Sequence, residues 1–131
     1  MLIITPITIF ILILLYLNLS WDVITCRRRY KISVGDGGNE NLLRAIRTQA
    51  NLSEYAPMAL IALVCLELNR APVWVTAILA LIFIIGRLLH PLGMKSAESS
   101  LQPRSRGMML TFLSLLLMAF ANIVFLVLRL F

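Results

Sequence analysis

Apolar residues in this chain come in four long blocks, each separated from the next by a short polar segment. The blocks run from Leu2 to Cys26, from Leu42 to Leu68, from Val73 to Leu92 and from Met108 to Leu130. About 20 consecutive apolar residues suffice to cross a bilayer as a helix. The pattern therefore predicts an all-α membrane protein, a bundle of four transmembrane helices that forms a single domain over residues 1–131.

Composition supports the same prediction. Of the 131 residues, 60% are hydrophobic and only 14% are charged, whereas about 25% of a soluble domain is charged. The first apolar block is too long for a cleaved signal peptide, so we expect it to be retained as the first helix. Cys26 and Cys65 lie near the ends of two blocks, where we expect separate thiols rather than a disulfide framework.

Basic residues are distributed unevenly between the two ends of the predicted bundle. All 12 Lys and Arg residues except Arg70 and Arg129 lie in or beside the first and third loops. The positive-inside rule therefore predicts that these two loops are cytoplasmic and that both termini lie outside. Topology also accounts for the net charge of +6, so we expect no nucleic-acid partner.

A polar stripe opens the second apolar block. Arg47, Asn51 and Glu54 stand at i, i+4 and i+7 on one helical face, and Arg44 extends that face upstream. Such residues inside a membrane span usually serve a function. Two interpretations stay open: an ion pair between Arg47 and Glu54 bridged by Asn51, or a site for an anionic ligand or a neighbouring subunit. The second is favoured because Arg47, Gln49 and Asn51 offer more donors than one carboxylate can accept.

Two more groups of polar residues lie at the same end of the predicted bundle. Arg87, His90 and Met94 share a face at the end of the third block. Because His90 is the only histidine, we expect no histidine-based metal site. Arg104 and Arg106 precede the fourth block, where the unsatisfied N–H groups of a helix N-terminus favour an anion.

A longer motif surrounds the polar stripe. It reads Arg47-x-Gln49-x-Asn51-x-x-Glu54-Tyr55-x-Pro57. This spacing resembles the signature at the start of the second helix in the MAPEG family, the membrane-associated proteins in eicosanoid and glutathione metabolism, and is closest in form to the leukotriene synthase branch. Arg87-x-x-His90 resembles the prostaglandin synthase branch. The Gly-Asp-Gly-Gly loop and the Gly-Arg-Leu-x-His run are similar to small bacterial members such as those resembling microsomal glutathione transferases.

The resemblance implies a homotrimer of four-helix subunits that binds glutathione, as co-substrate, between adjacent subunits near the cytoplasmic face. It implies no metal. The implied glutathione ligands are Arg47, Gln49, Asn51, Glu54, Tyr55, Arg87 and His90, joined by Arg27 or Arg28 of the neighbouring subunit. By the same resemblance, Arg106, with Arg104 as runner-up, holds the glutathione thiolate. A nearby guanidinium and a helix N-terminus lower a thiol pKa and populate the nucleophile.

The implied function is a detoxifying glutathione transferase of the bacterial inner membrane, acting on hydrophobic electrophiles from the lipid and reducing lipid hydroperoxides in a second reaction. Met94 and Ala50 replace a tyrosine and an arginine of other branches, which favours general conjugation over specific eicosanoid chemistry. Two other classes stay open: a non-catalytic scaffold that binds lipid or glutathione, and a small four-span transporter. The first block contains no acid before Asp22, which weighs against a proton-coupled exporter.

Overall fold

The computed structural model describes residues 1–95 and 100–131. Within these ranges the chain forms four helices: α1 (Ile4–Tyr30), α2 (Glu40–Leu68), α3 (Val73–Leu92) and α4 (Gln102–Leu130). All four are long and apolar enough to cross a membrane. The predicted all-α architecture with four spans is therefore confirmed. The homotrimer stays a prediction.

Three of the four helices are longer than the apolar blocks that predict them. α3 has the predicted bounds, but α1 runs from Ile4 to Tyr30 rather than from Leu2 to Cys26, α2 begins at Glu40 rather than Leu42, and α4 begins at Gln102 rather than Met108. Hydropathy marks where a chain enters hydrocarbon, whereas a helix continues through polar residues until its backbone is capped. As a consequence, Arg104 and Arg106 lie in the first turns of α4 instead of preceding it.

The helices run up and down, which gives the bundle two ends of different character. We call the end where α1 and α3 finish and α2 and α4 begin the basic end, and the other the far end. α2 and α3 each contact every other helix, so they form the centre of the bundle, with α1 on one flank and α4 on the other. Each helix contributes a buried apolar residue to the core between them: Leu12, Leu63, Phe83 and Met118.

At the basic end, side chains close the loop between α1 and α2. Lys31 adopts a left-handed conformation at the end of α1, with φ of 56°. The Arg27 guanidinium donates to three loop carbonyls, the nearest being that of Gly35 at 2.8 Å. The Asn39 side chain accepts from the Leu42 N–H at 3.0 Å and caps α2.

At the far end, side chains of one helix cap another. α1 has no side-chain cap of its own. Glu67 of α2 accepts hydrogen bonds from the three consecutive backbone N–H groups of residues 3–5, at 2.6 to 3.0 Å. Arg129 of α4 donates to the Leu68 carbonyl, at the end of α2, at 2.9 Å. These contacts satisfy backbone groups that every helix end leaves open.

α3 and α4 approach each other closely through glycines. A Cβ atom placed on Gly86 would lie 2.9 Å from the Gly107 carbonyl oxygen, and one placed on Gly107 would lie 2.7 Å from the Gly86 carbonyl oxygen. Only hydrogen side chains permit this approach, as at other small-residue contacts between membrane helices. The crossing fixes the end of α3 against the beginning of α4.

Candidate functional site

Arg87 lies at the centre of a polar cluster between α2, α3 and α4. Its side chain is almost fully buried, with the residue 2% exposed. One guanidinium nitrogen donates to Asn51 Oδ1 at 2.8 Å, and the other donates to Met108 Sδ at 3.6 Å. The guanidinium carbon lies 5.5 Å from the centre of the Tyr55 ring. We call Arg87, Asn51, Tyr55 and Met108 the Arg87 cluster.

The charge of Arg87 is only partly compensated. Among the described residues its Nε atom has no hydrogen-bond partner, and no salt bridge of the described residues includes it. Its guanidinium carbon also lies 5.9 Å from the centre of the Phe83 ring. A cation over an aromatic face gains about 0.5 to 2 kcal/mol, whereas burial of an ion costs several kcal/mol. The cluster is therefore short of negative charge.

Arg47 and Glu54 form an ion pair on the same helix. Arg47 Nη2 lies 3.7 Å from Glu54 Oε1, and the two side chains are 58% and 50% exposed. The pair that the first interpretation of the stripe requires is present. That interpretation has Asn51 bridge Arg47 and Glu54, whereas in the structure its amide oxygen accepts from Arg87. Both charged side chains keep half of their surface open to further contacts.

Three of the predicted ligands lie apart from the Arg87 cluster. The Gln49 amide donates to Ser20 Oγ of α1 at 2.9 Å, on the flank opposite α4. The Arg27 guanidinium donates its hydrogen bonds to loop carbonyls. The Arg28 guanidinium carbon lies 6.0 Å from the centre of the Trp21 ring, and the residue is exposed.

The crossing of α3 and α4 lies beside His90 on one helix and beside Arg104 and Arg106 on the other. His90 is 4% exposed, and a Cβ atom on Gly107 would lie 2.8 Å from its backbone nitrogen. A Cβ atom on Gly93 would lie 2.6 Å from the backbone nitrogen of Arg104. Arg104 and Arg106 are exposed in the first turns of α4. Their charges therefore lie at the positive end of that helix, where Ser100 Oγ accepts from the Gln102 N–H at 3.3 Å and the Leu101 carbonyl accepts from the Ser105 N–H at 3.0 Å.

The sequence did not indicate the part of the cluster that α4 supplies. Met108 contacts the guanidinium of Arg87, and Phe112 packs edge-to-face on Tyr55 with ring centres 5.7 Å apart. Both are ordinary apolar residues of a membrane span. Their i, i+4 spacing, which places them on one face, is the only signal that could have found them.

No metal site accompanies these residues in the part of the chain that the structure describes. There, no three side chains of His, Cys, Asp or Glu lie close enough to hold a metal ion. The groups available for a ligand are cationic, amide and aromatic. Such a set suits a carboxylate-bearing organic molecule, because guanidinium groups pair with carboxylates through charge-assisted hydrogen bonds.

Comparison with known proteins agrees with the helices and the motif. The model of the MAPEG family matches residues 5–124. The chain is similar to inner membrane protein YecN of Escherichia coli strain K12, with 36% identity over 110 residues that cover 84% of this chain and 82% of that protein. The protein of the same name in E. coli O6:H1 gives the same values. This chain, a multi-pass membrane protein, belongs to the MAPEG family.

Proposed function

We propose that the protein is a membrane-bound glutathione transferase, which activates the glutathione thiol for attack on hydrophobic electrophiles. The observation that carries the proposal is the buried guanidinium of Arg87, which has Asn51 as a partner but no acid among the described residues. Glutathione has two carboxylates and one ammonium group. A carboxylate gives Arg87 the negative charge that no salt bridge among the described residues supplies.

The neighbouring residues suit the rest of the ligand. Arg47 takes the second carboxylate, and Glu54 takes the ammonium group, so the half-exposed ion pair between them opens to admit glutathione. Asn51 and Tyr55 line the backbone of the tripeptide. His90, one turn from Arg87 on α3, adds a hydrogen-bonding side chain.

The thiolate is held at the start of α4. A free thiol with a pKa near 8.5 is only a few per cent ionised at neutral pH. Arg106, or Arg104 beside it, stabilises the ionised form together with the positive end of the α4 helix dipole. The thiol proton passes to solvent, the sulfur lone pair forms a bond to carbon, and the leaving group departs with its electron pair.

Reduction of lipid hydroperoxides is the second reaction we propose for the same thiolate. The sulfur attacks the outer peroxide oxygen, the O–O bond breaks and the lipid alcohol leaves after taking up a proton. The sulfenic acid that forms on glutathione reacts with a second glutathione, which gives the disulfide and water.

The site is completed by neighbouring copies in a homotrimer. Arg47 and Glu54 keep 58% and 50% of their side-chain surface exposed on a helix able to span a membrane. Hydrocarbon does not solvate such groups, so another protein surface has to cover them. Because Gln49 faces α1, we assign Gln49 with Arg28 or Arg27 to the wall that a neighbouring copy supplies. Like the relative named as an inner membrane protein, this one belongs in an inner membrane, with its basic end cytoplasmic.

Stopped-flow ultraviolet absorbance tests the enzyme directly. The purified full-length protein is mixed with glutathione, and the thiolate band is followed in the wild type and in the variants Arg106→Ala and Arg104→Ala. We expect the band in the wild type and its loss in one variant, with conjugation of an aryl halide falling about 100-fold or more, as for removal of other groups that stabilise a developing anion.

Arg29→Ala is the matched control, because Arg29 is an exposed arginine at the basic end outside the proposed site. It lowers the net charge equally and should leave the band unchanged. Absence of saturable glutathione binding at millimolar ligand would overturn the proposal.

A non-catalytic glutathione-binding or lipid-binding scaffold is the second candidate function. The observation that favours it is the hydrogen bond from Arg87 to Asn51, which links α3 to α2 without any ligand. A scaffold would bind glutathione saturably yet show no thiolate band and no conjugation in the wild type. The stopped-flow experiment separates the two candidates.

A further inference from the structure

A cavity of about 620 Å³ lies on the other flank of the bundle, between α1, α2 and α3 at the basic end. Among the described residues that line it, none belongs to the Arg87 cluster. On α2 its wall is Asn41, Ala45 and Thr48, a helical face different from the one that carries Arg47 and Glu54. The proposed glutathione site therefore leaves this cavity unused.

The cavity has an apolar part and a charged part. Leucines of two helices line its length: Leu15 and Leu19 of α1, Leu88 and Leu92 of α3. Asp22 of α1 and Lys95, beyond the end of α3, are the only charged residues among the described lining. One acid and one base thus share the polar part of the cavity with Asn18, Thr25, Asn41 and Thr48, while the leucines form a part that suits hydrocarbon.

Asp22 is an unusual residue for its place. It lies four positions before the end of the first apolar block at Cys26, which is about 6 Å along the helix. An acid inside a membrane-spanning helix normally pairs with a cation. Among the described residues, the one salt bridge joins Arg47 and Glu54, so neither Asp22 nor Lys95 takes part in one.

The surroundings of the cavity favour an occupant from the bilayer over a soluble one. Leu88 and Leu92 are each 48% exposed, so the apolar walls continue onto the outer surface of the bundle. A zwitterion with an ammonium group for Asp22 and an anionic group for Lys95 would neutralise both. A phospholipid with a primary ammonium headgroup offers these charges together with an acyl chain for the leucines.

We propose that this cavity binds one phosphatidylethanolamine-type lipid. Its ammonium group contacts Asp22, its phosphate contacts Lys95, and one acyl chain lies along the leucines of α1 and α3. The proposal is independent of the proposed glutathione site, because no residue assigned to that site is among the described residues that line the cavity.

Cys26 gives a direct probe, because it lines the cavity, whereas Cys65 is exposed near the far end. In the full-length Cys65→Ser variant in detergent, Cys26 is alkylated by a maleimide with phosphatidylethanolamine or phosphatidylglycerol added. We expect phosphatidylethanolamine to slow alkylation about fivefold more than phosphatidylglycerol does. This factor corresponds to the free energy of one partly exposed ion pair, here between the lipid ammonium group and Asp22. Asp22→Asn should remove this difference, and Lys95→Gln should weaken protection by both lipids.

Two controls keep the result specific. Glu40→Gln removes an exposed acid that does not line the cavity and should change nothing. In the Cys26→Ser variant, the rate at Cys65 should be the same with either lipid. Equal protection by the two lipids, or protection unchanged in Asp22→Asn, would overturn the proposal. Protection by S-methylglutathione, which has the charges of glutathione without its free thiol, would also overturn it and place a peptide ligand here.

Discussion

Apart from Arg27 and Asn39, which bond to backbone groups at the basic end, the polar side chains at the two ends of the bundle have different partners. At the far end, Glu67 caps the start of α1 and Arg129 caps the end of α2, so each charged side chain is matched to backbone groups of another helix. At the basic end, Arg87 is buried with an unpartnered Nε among the described residues, and Arg104 and Arg106 are exposed.

This difference separates polar groups that stabilise the fold from polar groups available to a ligand. A side chain whose hydrogen bonds all go to backbone groups contributes to stability and has little left for anything else. A buried cation without a counter-charge costs free energy in the empty protein, and a ligand that brings the charge recovers it. Substitutions at the two ends should therefore change different measured quantities.

The largest effect is expected for Arg87→Leu. Glutathione binding, measured by calorimetry on the full-length protein, should weaken roughly 30-fold or more, since loss of a buried charge partner costs about 2 kcal/mol at the least. The free energy of unfolding should change by no more than about 1 kcal/mol. Removal of a buried charge is favourable, and this offsets the loss incurred when the Asn51 amide oxygen loses its partner.

Arg87→Lys is the control for that substitution. It keeps the charge but loses the planar group that bonds to Asn51 and stacks on Tyr55, so binding should weaken less than in Arg87→Leu. An unchanged glutathione affinity in Arg87→Leu would mean that Arg87 only joins α2 to α3. Arg87 would then stabilise the fold, as Glu67 and Arg129 do at the far end.

The next effect is expected at the far end, for Glu67→Ala. Three backbone N–H groups at the start of α1 lose their acceptor, so the free energy of unfolding should fall by about 2 kcal/mol. Glutathione affinity should not change. Glu67→Gln should lose less stability, because Oε1 alone accepts from two of the three groups. Loss of glutathione binding in Glu67→Ala would show that the ends are not independent.

The sequence predicted the features that depend on local spacing and block length. Four apolar blocks gave four helices, and α3 has the predicted bounds. The i, i+4 spacing of Arg47 and Asn51 placed them on one face, and Arg87 was assigned to the same end of the bundle. These properties follow from helical geometry and from the thickness of a bilayer, which act within one segment of the chain.

Contacts between segments could not be predicted in the same way. Nothing near Glu67 indicates that its carboxylate caps residues 3–5, because the partners are joined only by helix packing. Nor does the sequence indicate that the Gln49 amide bonds to Ser20 of α1 rather than lying in the Arg87 cluster. The bond between Arg87 and Asn51 depends on how α3 packs against α2. The contact between Arg87 and Met108 joins α3 to α4, which cross closely at two glycines.

An intermediate effect is expected for Gly107→Ala. The new methyl group would lie 2.7 Å from the Gly86 carbonyl oxygen and 2.8 Å from the backbone nitrogen of His90. Overpacking of this kind costs about 1 to 2 kcal/mol in the free energy of unfolding. Because the helices must separate at the basic end, glutathione affinity should fall with stability. Ser105→Ala, an exposed change in the same turn, should affect neither quantity, and equal affinity in Gly107→Ala would show that the crossing does not position the site.

The smallest effect is expected for Arg129→Gln, which removes two exposed hydrogen bonds, one to the Leu68 carbonyl and one to Asn69 Oδ1. The free energy of unfolding should fall by about 0.5 kcal/mol. Since Glu67 and Leu68 are neighbours, the double variant Glu67→Ala/Arg129→Gln tests whether the cap on α1 and the cap on α2 contribute to stability independently. Additive losses in the free energy of unfolding would mean that the two caps act independently, because the effects of independent contacts sum within a few tenths of a kcal/mol. A smaller combined loss would mean that α4 holds Glu67 in place for α1, so the far end acts as one network.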